Sequence, residues 1–259
     1  MKLKQLDYLS RIPEKVHYKG DHTRGEIEIV EYAETIAEIA NERRHHLESS
    51  NLLNYTNEAD EVGIVFEDEY IIVVRDPVIF PSEKMGTYLR IFERSCPDGI
   101  AGVVMLPVRD DLIYLREIFR HATRQWELEC PRGSMSKGLS PLEAAQEEIS
   151  EELGLDIKDI HELGTVNPNT GLLVGPAKAY YVMLGPGEPH PHPEEEEALR
   201  KIVALTLEQV MEKIRAGEIR DGYTLSALQL AQAHNFLLFG RDQANPSNIS
   251  ASSVSGNRT

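Results

Sequence analysis

The chain has few cysteines and no long apolar run, and both shortages limit what it can be. Of its 259 residues only two are cysteine, Cys96 and Cys130, which is too few for a disulfide framework and predicts a reducing, cytoplasmic setting. No stretch reaches the roughly 18 apolar residues that a membrane-spanning helix needs. The N-terminus also lacks the apolar core of a signal peptide. We therefore expect no membrane partner.

Positive charge is also scarce. Lysine and arginine together number 27 against 43 acidic residues, which gives a net charge of −16 at pH 7. A surface of this sign argues against binding to a nucleic acid polymer or to anionic lipid. A phosphorylated small molecule would have to be attracted locally, by metal ions and a few arginines. The composition therefore favours a soluble globular protein with a cation-dependent site.

The pattern of apolar residues divides the chain into four segments. Residues 1–60 are predicted to be mostly helical, because apolar side chains recur at helical spacing over residues 26–46. Residues 61–97 favour short β-strands. Residues 98–240 mix strands with helices, which indicates an α+β or α/β domain. Residues 241–259 are rich in serine and asparagine and predict a flexible tail.

The segment from Gly133 to Leu155 contains the most informative pattern. Ser140 and Glu143 have the spacing of a capping box, and the intervening Pro141 suits the first helical position. Gly154 suits the left-handed residue at which helices commonly end. The predicted helix has an apolar stripe, formed by Leu142, Ala145, Ile149 and Leu153.

The charges of this helix are unusual. It contains five acids and no lysine or arginine: Glu143, Glu147, Glu148, Glu151 and Glu152. Pairs at i,i+4 spacing repel by roughly 0.2–0.5 kcal/mol each, and the last two acids lie at the negative end of the helix dipole. Glu148, Glu151 and Glu152 stand at i, i+3 and i+4, so their carboxylates can converge on a hard dication such as Mg²⁺ or Mn²⁺. A solvated acidic helix face is the alternative interpretation.

The same segment resembles the Nudix box. That box reads Gly, five residues, Glu, seven residues, then Arg-Glu-apolar-x-Glu-Glu-x-Gly-apolar, and seven of its nine defined positions are matched in register. Residues 114–133, 166–173 and 219–231 are similar to the ADP-ribose pyrophosphatase branch of the family. The resemblance implies an α+β fold, an α/β/α Nudix sandwich with a mixed sheet between helices, preceded by a helical and β-rich extension.

The resemblance also implies a reaction and a partner. It predicts attack by water on the pyrophosphate bridge of a nucleoside diphosphate derivative, with ADP-ribose or a related sugar nucleotide as the leading substrate and Mg²⁺ or Mn²⁺ as cofactor. Many members of the branch pair through N-terminal segments. We therefore expect a homodimer formed through residues 61–97.

Site residues follow partly from the resemblance and partly from position. The predicted metal ligands are Glu148, Glu151, Glu152, the backbone carbonyl of Arg132, Glu129 at the end of a strand, and Glu197. Glu152 is also predicted to be catalytic. The resemblance places the general base in the acidic loop before a late strand, where alignment on Leu199 and Arg200 selects Glu195, with its glutamate neighbours in 194–197 as alternatives.

Three further side chains are predicted to bind the substrate. Arg116 and Arg120 lie four residues apart, hence on one face of a strand, and could bind the diphosphate. Trp126 could stack on a base or a ribose. Surface ion pairing for the arginines and a core position for the tryptophan are the alternatives. His190 and His192 are interpreted as polar loop residues or, alternatively, as ligands of a transition metal.

Two box positions differ from the family pattern. The first glutamate of the box is Leu139, and its arginine, which normally pairs with a box carboxylate and fixes its orientation, is Glu147. Another arginine could replace it in space, metal binding could be weaker, or the chain could be a non-hydrolytic nucleotide sensor. We expect hydrolysis, because the three metal-facing glutamates remain. The arginines available as replacements are Arg116, Arg120, Arg124 and Arg132.

Overall fold

The computed structural model describes residues 8–12, 14, 17–50, 61–94, 99–135, 138–192 and 198–237. The strands are β1 (Glu28–Ile29), β2 (Gly63–Glu67), β3 (Ile71–Ile79), β4 (Met85–Glu93), β5 (Gly102–Arg109), β6 (Leu112–Arg120), β7 (Gln125–Glu129), β8 (Arg132–Ser134), β9 (Ile157–Val166), β10 (Leu173–Val174), β11 (Ala177–Leu184) and β12 (Leu199–Thr206). The helices are α1 (Ala33–Ser49), α2 (Pro141–Leu153), α3 (Leu207–Arg215) and α4 (Gly222–Ala233), with short 3-10 turns at Tyr8–Arg11 and His22–Arg24. No helix in these ranges is long and apolar enough to cross a membrane.

A mixed sheet of seven strands forms the larger part of the molecule. Its order is β12-β6-β5-β11-β9, with β7 paired to β6 and β8 paired to β5. Strands β5 and β11 run parallel, from Ala177 opposite Gly102 to Met183 opposite Val108, and the other pairs are antiparallel. The β5–β6 hairpin turns at Asp110 and Asp111, which both have positive φ (51° and 63°), as a tight hairpin turn requires. The strands expected within residues 98–240 are present in this sheet.

The two faces of this sheet pack against different helices. Along β5, Val103 and Met105 face a cluster with α2, whereas Val104 and Leu106 face a cluster with α3 and α4. This alternation follows from the two-residue period of a strand, and all four side chains are almost completely buried. Helices therefore cover both faces, and the predicted α/β/α sandwich is confirmed.

The N-terminal segment forms a second, five-stranded sheet. Strand β3 pairs with β4 along its whole length on one side, and with β1 and β2 on the other. Strand β10, from the C-terminal half of the chain, adds to β4 in parallel, with Leu173 opposite Ile91. The strands predicted within 61–97 are present, but their sheet is completed from outside that segment.

Two local predictions differ from the structure. The helical stripe predicted from residue 26 begins at Ala33, because Ile29 belongs to β1 and pairs with Val78 of β3. Tyr32 is 77% exposed and lies outside the packed face, which is formed by Ile36, Ile39, Ala40 and Leu47. In α2, Leu142 was predicted to belong to the buried apolar stripe but is 42% exposed, whereas Ala144, which was not predicted, is buried.

Candidate active site

Helix α2 is fixed in position by its caps and by its apolar face. The Ser140 hydroxyl accepts a hydrogen bond from the Glu143 backbone N–H, and the Glu143 carboxylate accepts one from the Ser140 N–H at 2.8 Å. Ile149 and Leu153 are fully buried against the sheet. This packing directs the opposite side of the helix toward a cavity. The predicted capping box and left-handed Gly154 are confirmed.

The cavity beside α2 has a volume of about 360 Å³ and two walls of opposite charge. The acidic wall comes from α2 and the basic wall from β6 and β8. The charged and aromatic residues that line it are Glu93, Arg116, Arg120, Arg132, Glu148, Glu151, Glu152 and Tyr223. The structure therefore brings Glu148, Glu151 and Glu152 together with the predicted Arg116, Arg120 and Arg132.

A buried ion pair joins the two walls. The side chains of Arg116 and Glu152 are 1% and 2% exposed, and the Arg116 guanidinium pairs with the Glu152 carboxylate. Both oxygens of Glu152 are shielded from solvent, and among the described residues neither accepts a hydrogen bond of ordinary geometry. Oε1 is in contact with Arg116 Nη1, which leaves Oε2 with capacity for a further ligand.

Glu129 lies behind this pair and holds the arginines. Its buried carboxylate accepts hydrogen bonds from Arg116 (Nη2 to Oε1, 3.1 Å) and Arg120 (Nε to Oε2, 3.2 Å), and Arg132 approaches to 3.5 Å. Burial by itself would raise the pKa of the Glu129 carboxyl, but the hydrogen bond from Arg120 and the charges of Arg132, Arg120 and Arg116 hold it below its usual value. Glu129 is therefore an anion among three cations, and its predicted role as a metal ligand stays a prediction.

Glu148 and Gly133 are in close contact. A Cβ built on Gly133 would overlap the Glu148 carboxylate, so a larger residue at this position would displace that carboxylate. The preceding carbonyl, that of Arg132, accepts a hydrogen bond from Arg116 Nη2 at 3.1 Å. The Glu148 carboxylate packed on glycine, the Glu152 oxygen that does not contact Arg116 and the Arg132 carbonyl together form an all-oxygen donor set. That set fits a hard divalent cation.

Among the described residues, no three carboxylates of α2 have oxygens that converge within 4.8 Å of one another. Within the described ranges, three ligand atoms come within 4.8 Å of one another at Asp21, His22 and Glu28, in the N-terminal segment. There, His22 Nδ1 lies 2.6 Å from Glu28, and Asp21 caps a turn through Thr23. These internal contacts account for that cluster. In α2 the buried Glu152 faces Arg116 instead.

Other predicted residues lie elsewhere. Trp126 is 40% exposed, lies under the Arg200 guanidinium at 3.6 Å, and lines a separate cavity of about 270 Å³ with Lys201 and Arg220. Glu195 and Glu197, with the rest of 193–197, lie outside the described residues. The structure does not bring Trp126 to the α2 cavity.

Three features of the cavity were not predicted from the sequence. Glu93 reaches it from β4, and burial raises the pKa of its carboxyl while the charge of Arg132 opposes that shift. Tyr223 reaches the cavity from α4, and the centroid of its ring lies 5.0 Å from Cζ of the Arg132 guanidinium. The Arg132 side chain itself faces the cavity, whereas the sequence predicted its carbonyl as a ligand and its guanidinium only as one of four possible replacements for the box arginine. No local signal marks these residues, because their proximity arises from the packing of β4 and α4 on the domain.

The loop of residues 185–192 is fixed against α2. Arg109 donates hydrogen bonds to the carbonyls of Gly185 at 3.1 Å and Gly187 at 2.5 Å. Further along, His190 N–H donates to the Leu153 carbonyl, and His192 N–H donates to the Glu151 carbonyl at 2.7 Å. These bonds satisfy carbonyls that the end of a helix leaves without partners. The described loop therefore ends beside the α2 glutamates.

Comparison with known proteins agrees with this geometry. A family model described as a NUDIX domain matches residues 98–227. ADP compounds hydrolase NudE of Escherichia coli (strain K12) is 32% identical over 71 residues, which are 27% of this chain and 38% of that protein. The match thus spans under two fifths of the relative. A solved structure titled "Crystal structure of ADP compounds hydrolase" superposes with a TM-score of 0.57 at 23% identity, covering 67% of this chain and 91% of the other.

Proposed function

Because the chain belongs to the Nudix family, whose model spans half of its residues, we propose that it is a divalent-cation-dependent pyrophosphohydrolase. One observation carries the proposal: the cavity beside α2 has carboxylates on one wall and arginines on the other. A pyrophosphate neutralised by a cation needs both, since the carboxylates bind the cation and the arginines bind phosphoryl oxygens.

The proposed substrate is a nucleoside diphosphate linked to a second group, with ADP-ribose or a related sugar nucleotide first. The relative in Escherichia coli is named for its action on ADP compounds. The cavity volume of about 360 Å³ accommodates part of such a molecule, including its diphosphate. The second group and the base would contact residues around the cavity mouth.

Glu148, Glu151 and Glu152 would hold Mg²⁺ or Mn²⁺, with the Arg132 carbonyl as an additional oxygen donor. A bound cation of this kind polarises phosphoryl oxygens and neutralises the charge that develops on them. We propose no role for Glu129 beyond holding the arginines unless a cation is found beside it.

The remaining roles fall to protein side chains. Arg120 and Arg132 are each about one quarter exposed toward the cavity, and we assign them to the diphosphate. Glu195, or a glutamate beside it, is the proposed general base that takes a proton from the attacking water. The hydrogen bond from His192 to Glu151 supports this proposal, because the run of glutamates 194–197 begins two residues after His192.

A non-hydrolytic nucleotide sensor is the second proposal, motivated by Leu139 and Glu147. Leu139 is half-buried against the α2 cluster and Glu147 is exposed on the helix, so neither residue occupies the cavity. Both substitutions therefore leave the cavity lining unchanged. This placement favours the hydrolase.

A panel of nucleoside diphosphate derivatives, assayed with Mg²⁺ and with Mn²⁺, distinguishes the two. The hydrolase releases AMP and ribose 5-phosphate from ADP-ribose, or the matching products from another member, and Glu152→Gln abolishes turnover while its circular dichroism spectrum stays native. Glu147→Gln, one exposed residue on the same helix, is the matched control and retains turnover. Nucleotide binding without products across the panel supports the sensor.

We also propose a homodimer that uses the N-terminal sheet. Within the described part of the chain, β4 pairs on its outer side with β10 at Ile91 and Phe92, which leaves residues 85–90 with an open backbone edge. Tyr88 and Leu89 on this stretch are each 39% exposed. Open apolar edges commonly pair with another chain. Light scattering tests this directly, since a monomeric mass would contradict it.

A further inference from the structure

The family box places an arginine at the position of Glu147, and the structure shows where the missing positive charge is supplied. Glu147 is exposed on α2 and does not line the cavity. The charge comes instead from the opposite wall, where Arg116 of β6 lies under α2. Because strand and helix are separate elements, the sequence pattern of the box does not reveal this exchange.

Arg116 contacts three of the groups that were predicted as ligands of the cation. Its guanidinium pairs with the Glu152 carboxylate, donates to Glu129 Oε1 at 3.1 Å, and donates to the Arg132 carbonyl at 3.1 Å. A planar guanidinium with five N–H donors can hold several oxygens in fixed relative positions, which an ammonium group cannot do. One side chain thus connects the acidic helix, the strand end and the backbone beside Gly133.

Burial makes this arrangement costly to lose. Arg116 and Glu129 are each 1% exposed, and Glu152 is 2% exposed. Removing one partner from a buried group of charges leaves the others uncompensated, so such groups persist only where each charge is opposed. Arg120 and Arg132 are 28% exposed and contact Glu129, whereas Glu152 forms its ion pair with Arg116. Arg116 is therefore the arginine that acts on the box carboxylate.

The other available arginine is occupied at a surface turn. Arg124 Nη1 lies 2.8 Å from His121 Nδ1, its guanidinium covers Phe119, and the residue is exposed with a φ of 56°. Arg124 does not line the cavity.

We propose that Arg116 is a positioning residue that does from strand β6 what the box arginine does from the helix. It orients the Glu152 carboxylate and the Arg132 carbonyl toward the cation, and this leaves position 147 free to be acidic. The inference rests on the proposed function, since it concerns how that site is held. It accounts for a working site in a box that lacks its arginine.

The test is Arg116→Lys in the full chain, with Arg124→Lys as the matched control. Lysine keeps the positive charge but lacks the planar set of N–H donors of the guanidinium. The electrostatic attraction to Glu152 therefore remains, while the orientation of its carboxylate is lost. Residues that orient metal ligands typically alter metal affinity or activity by about 10- to 100-fold. We expect Mn²⁺ binding, followed by the electron paramagnetic resonance signal of free Mn²⁺, to weaken in that range. The value of kcat should fall alongside it, with KM changed by less than about threefold.

A stability control separates positioning from general structure. Val210→Ala removes buried volume in α3, away from the cavity, and should lower the melting temperature without changing Mn²⁺ affinity. If Arg116→Lys does not fold, Glu152→Asp replaces it, because shortening the carboxylate withdraws it from the guanidinium while its charge remains. Mn²⁺ binding by Glu152→Asp at the wild-type affinity would overturn the proposal.

The outcomes also separate this inference from the proposed function. Wild-type protein that neither binds Mn²⁺ nor turns over any substrate refutes the function and the inference together. Wild-type protein that does both, with Arg116→Lys indistinguishable from Arg124→Lys, refutes the inference alone. Weaker Mn²⁺ binding in Arg116→Lys but not in Arg124→Lys or Val210→Ala supports it.

Discussion

The backbone N–H of His192 donates a hydrogen bond of 2.7 Å to the carbonyl oxygen of Glu151. Two residues earlier, His190 N–H donates to the Leu153 carbonyl at 2.9 Å. These bonds attach the loop of residues 185–192 to the last turn of α2, so that His192 lies beside the glutamates of the box.

Gly154 is the residue that permits this attachment. Its φ is 62°, and a Cβ at this position would overlap the His190 carbonyl. We expect Gly154→Ala to destabilise the protein by about 2–4 kcal/mol, since left-handed strain adds to the displacement of the loop. Turnover should fall as well, because the loop would leave the end of α2. Chemical denaturation and a steady-state assay measure the two effects.

Gly217 provides the matched control. It also lies just after a helix with positive φ (74°), but a Cβ there meets nothing within 4 Å. Gly217→Ala should therefore lose only about 1–2 kcal/mol from backbone strain and keep its turnover. Equal effects of the two substitutions on stability and turnover would contradict the role assigned to the His190 contact.

Much of the fold could be predicted because it follows from local rules. The capping box at Ser140, the turn at Asp110 and Asp111 and the alternating strands all depend on residues near one another in sequence. The start of α1 and the addition of β10 to β4 could not be predicted in this way. Both depend on pairing between strands that lie far apart in the chain, and such pairing overrides the local periodicity around Ile29.

Leu139 replaces the first glutamate of the box and packs partly buried against the α2 cluster. Leu139→Glu would restore the family pattern but place a carboxylate against apolar side chains. We expect a loss of about 1–3 kcal/mol in unfolding free energy and no gain in kcat. Leu142→Glu, at a position that is 42% exposed, should change stability by less than about 0.5 kcal/mol. A rise in kcat for Leu139→Glu would show that position 139 takes part in catalysis.

The site was predictable to the extent that the box defines it. The spacing of Glu148, Glu151 and Glu152 placed all three at one cavity, and the four-residue spacing of Arg116 and Arg120 placed both on the facing wall. The ion pair between Arg116 and Glu152 could not be predicted from the sequence, because it depends on how β6 packs under α2. The position of Trp126 under Arg200 depends likewise on the pairing of β6 with both β7 and β12.

Arg120 and Trp126 give opposite expectations for substrate binding. Arg120→Ala should raise KM by about tenfold to a hundredfold, because a charge-assisted bond to the diphosphate is lost. Trp126 lines a different cavity, so Trp126→Ala should leave KM within about twofold. Loss of a base stacked on Trp126 would instead raise KM by about tenfold or more. Steady-state kinetics on one ADP-linked substrate distinguish these outcomes.

Glu93 provides a test by pH. Burial raises the pKa of its carboxyl in the folded protein, so the folded state binds the proton more tightly than the unfolded state does. A carboxyl with a raised pKa in the folded state contributes to the free energy of unfolding at low pH, where it is protonated. That contribution is lost as the pH rises above the pKa of the unfolded state, about 4.3, and through the pKa of the folded state. Glu93→Gln should therefore raise the melting temperature at neutral pH. The gain should shrink as the pH is lowered toward the unfolded value.

Glu38→Gln is the control for this pH series. Glu38 is exposed on α1, so its replacement should shift the melting temperature little and by a similar amount at every pH. A gain for Glu93→Gln that grows as the pH falls would reverse the sign expected for a buried acid and contradict the assignment.

Anomalous X-ray diffraction from crystals soaked in Mn²⁺ shows whether the carboxylates of α2 hold a divalent cation in the cavity facing Arg120 and Arg132. We expect an anomalous peak about 2.0–2.6 Å from carboxylate oxygens of Glu148 and Glu152. An empty cavity in crystals whose only peak lies at Asp21, His22 and Glu28 would contradict this expectation.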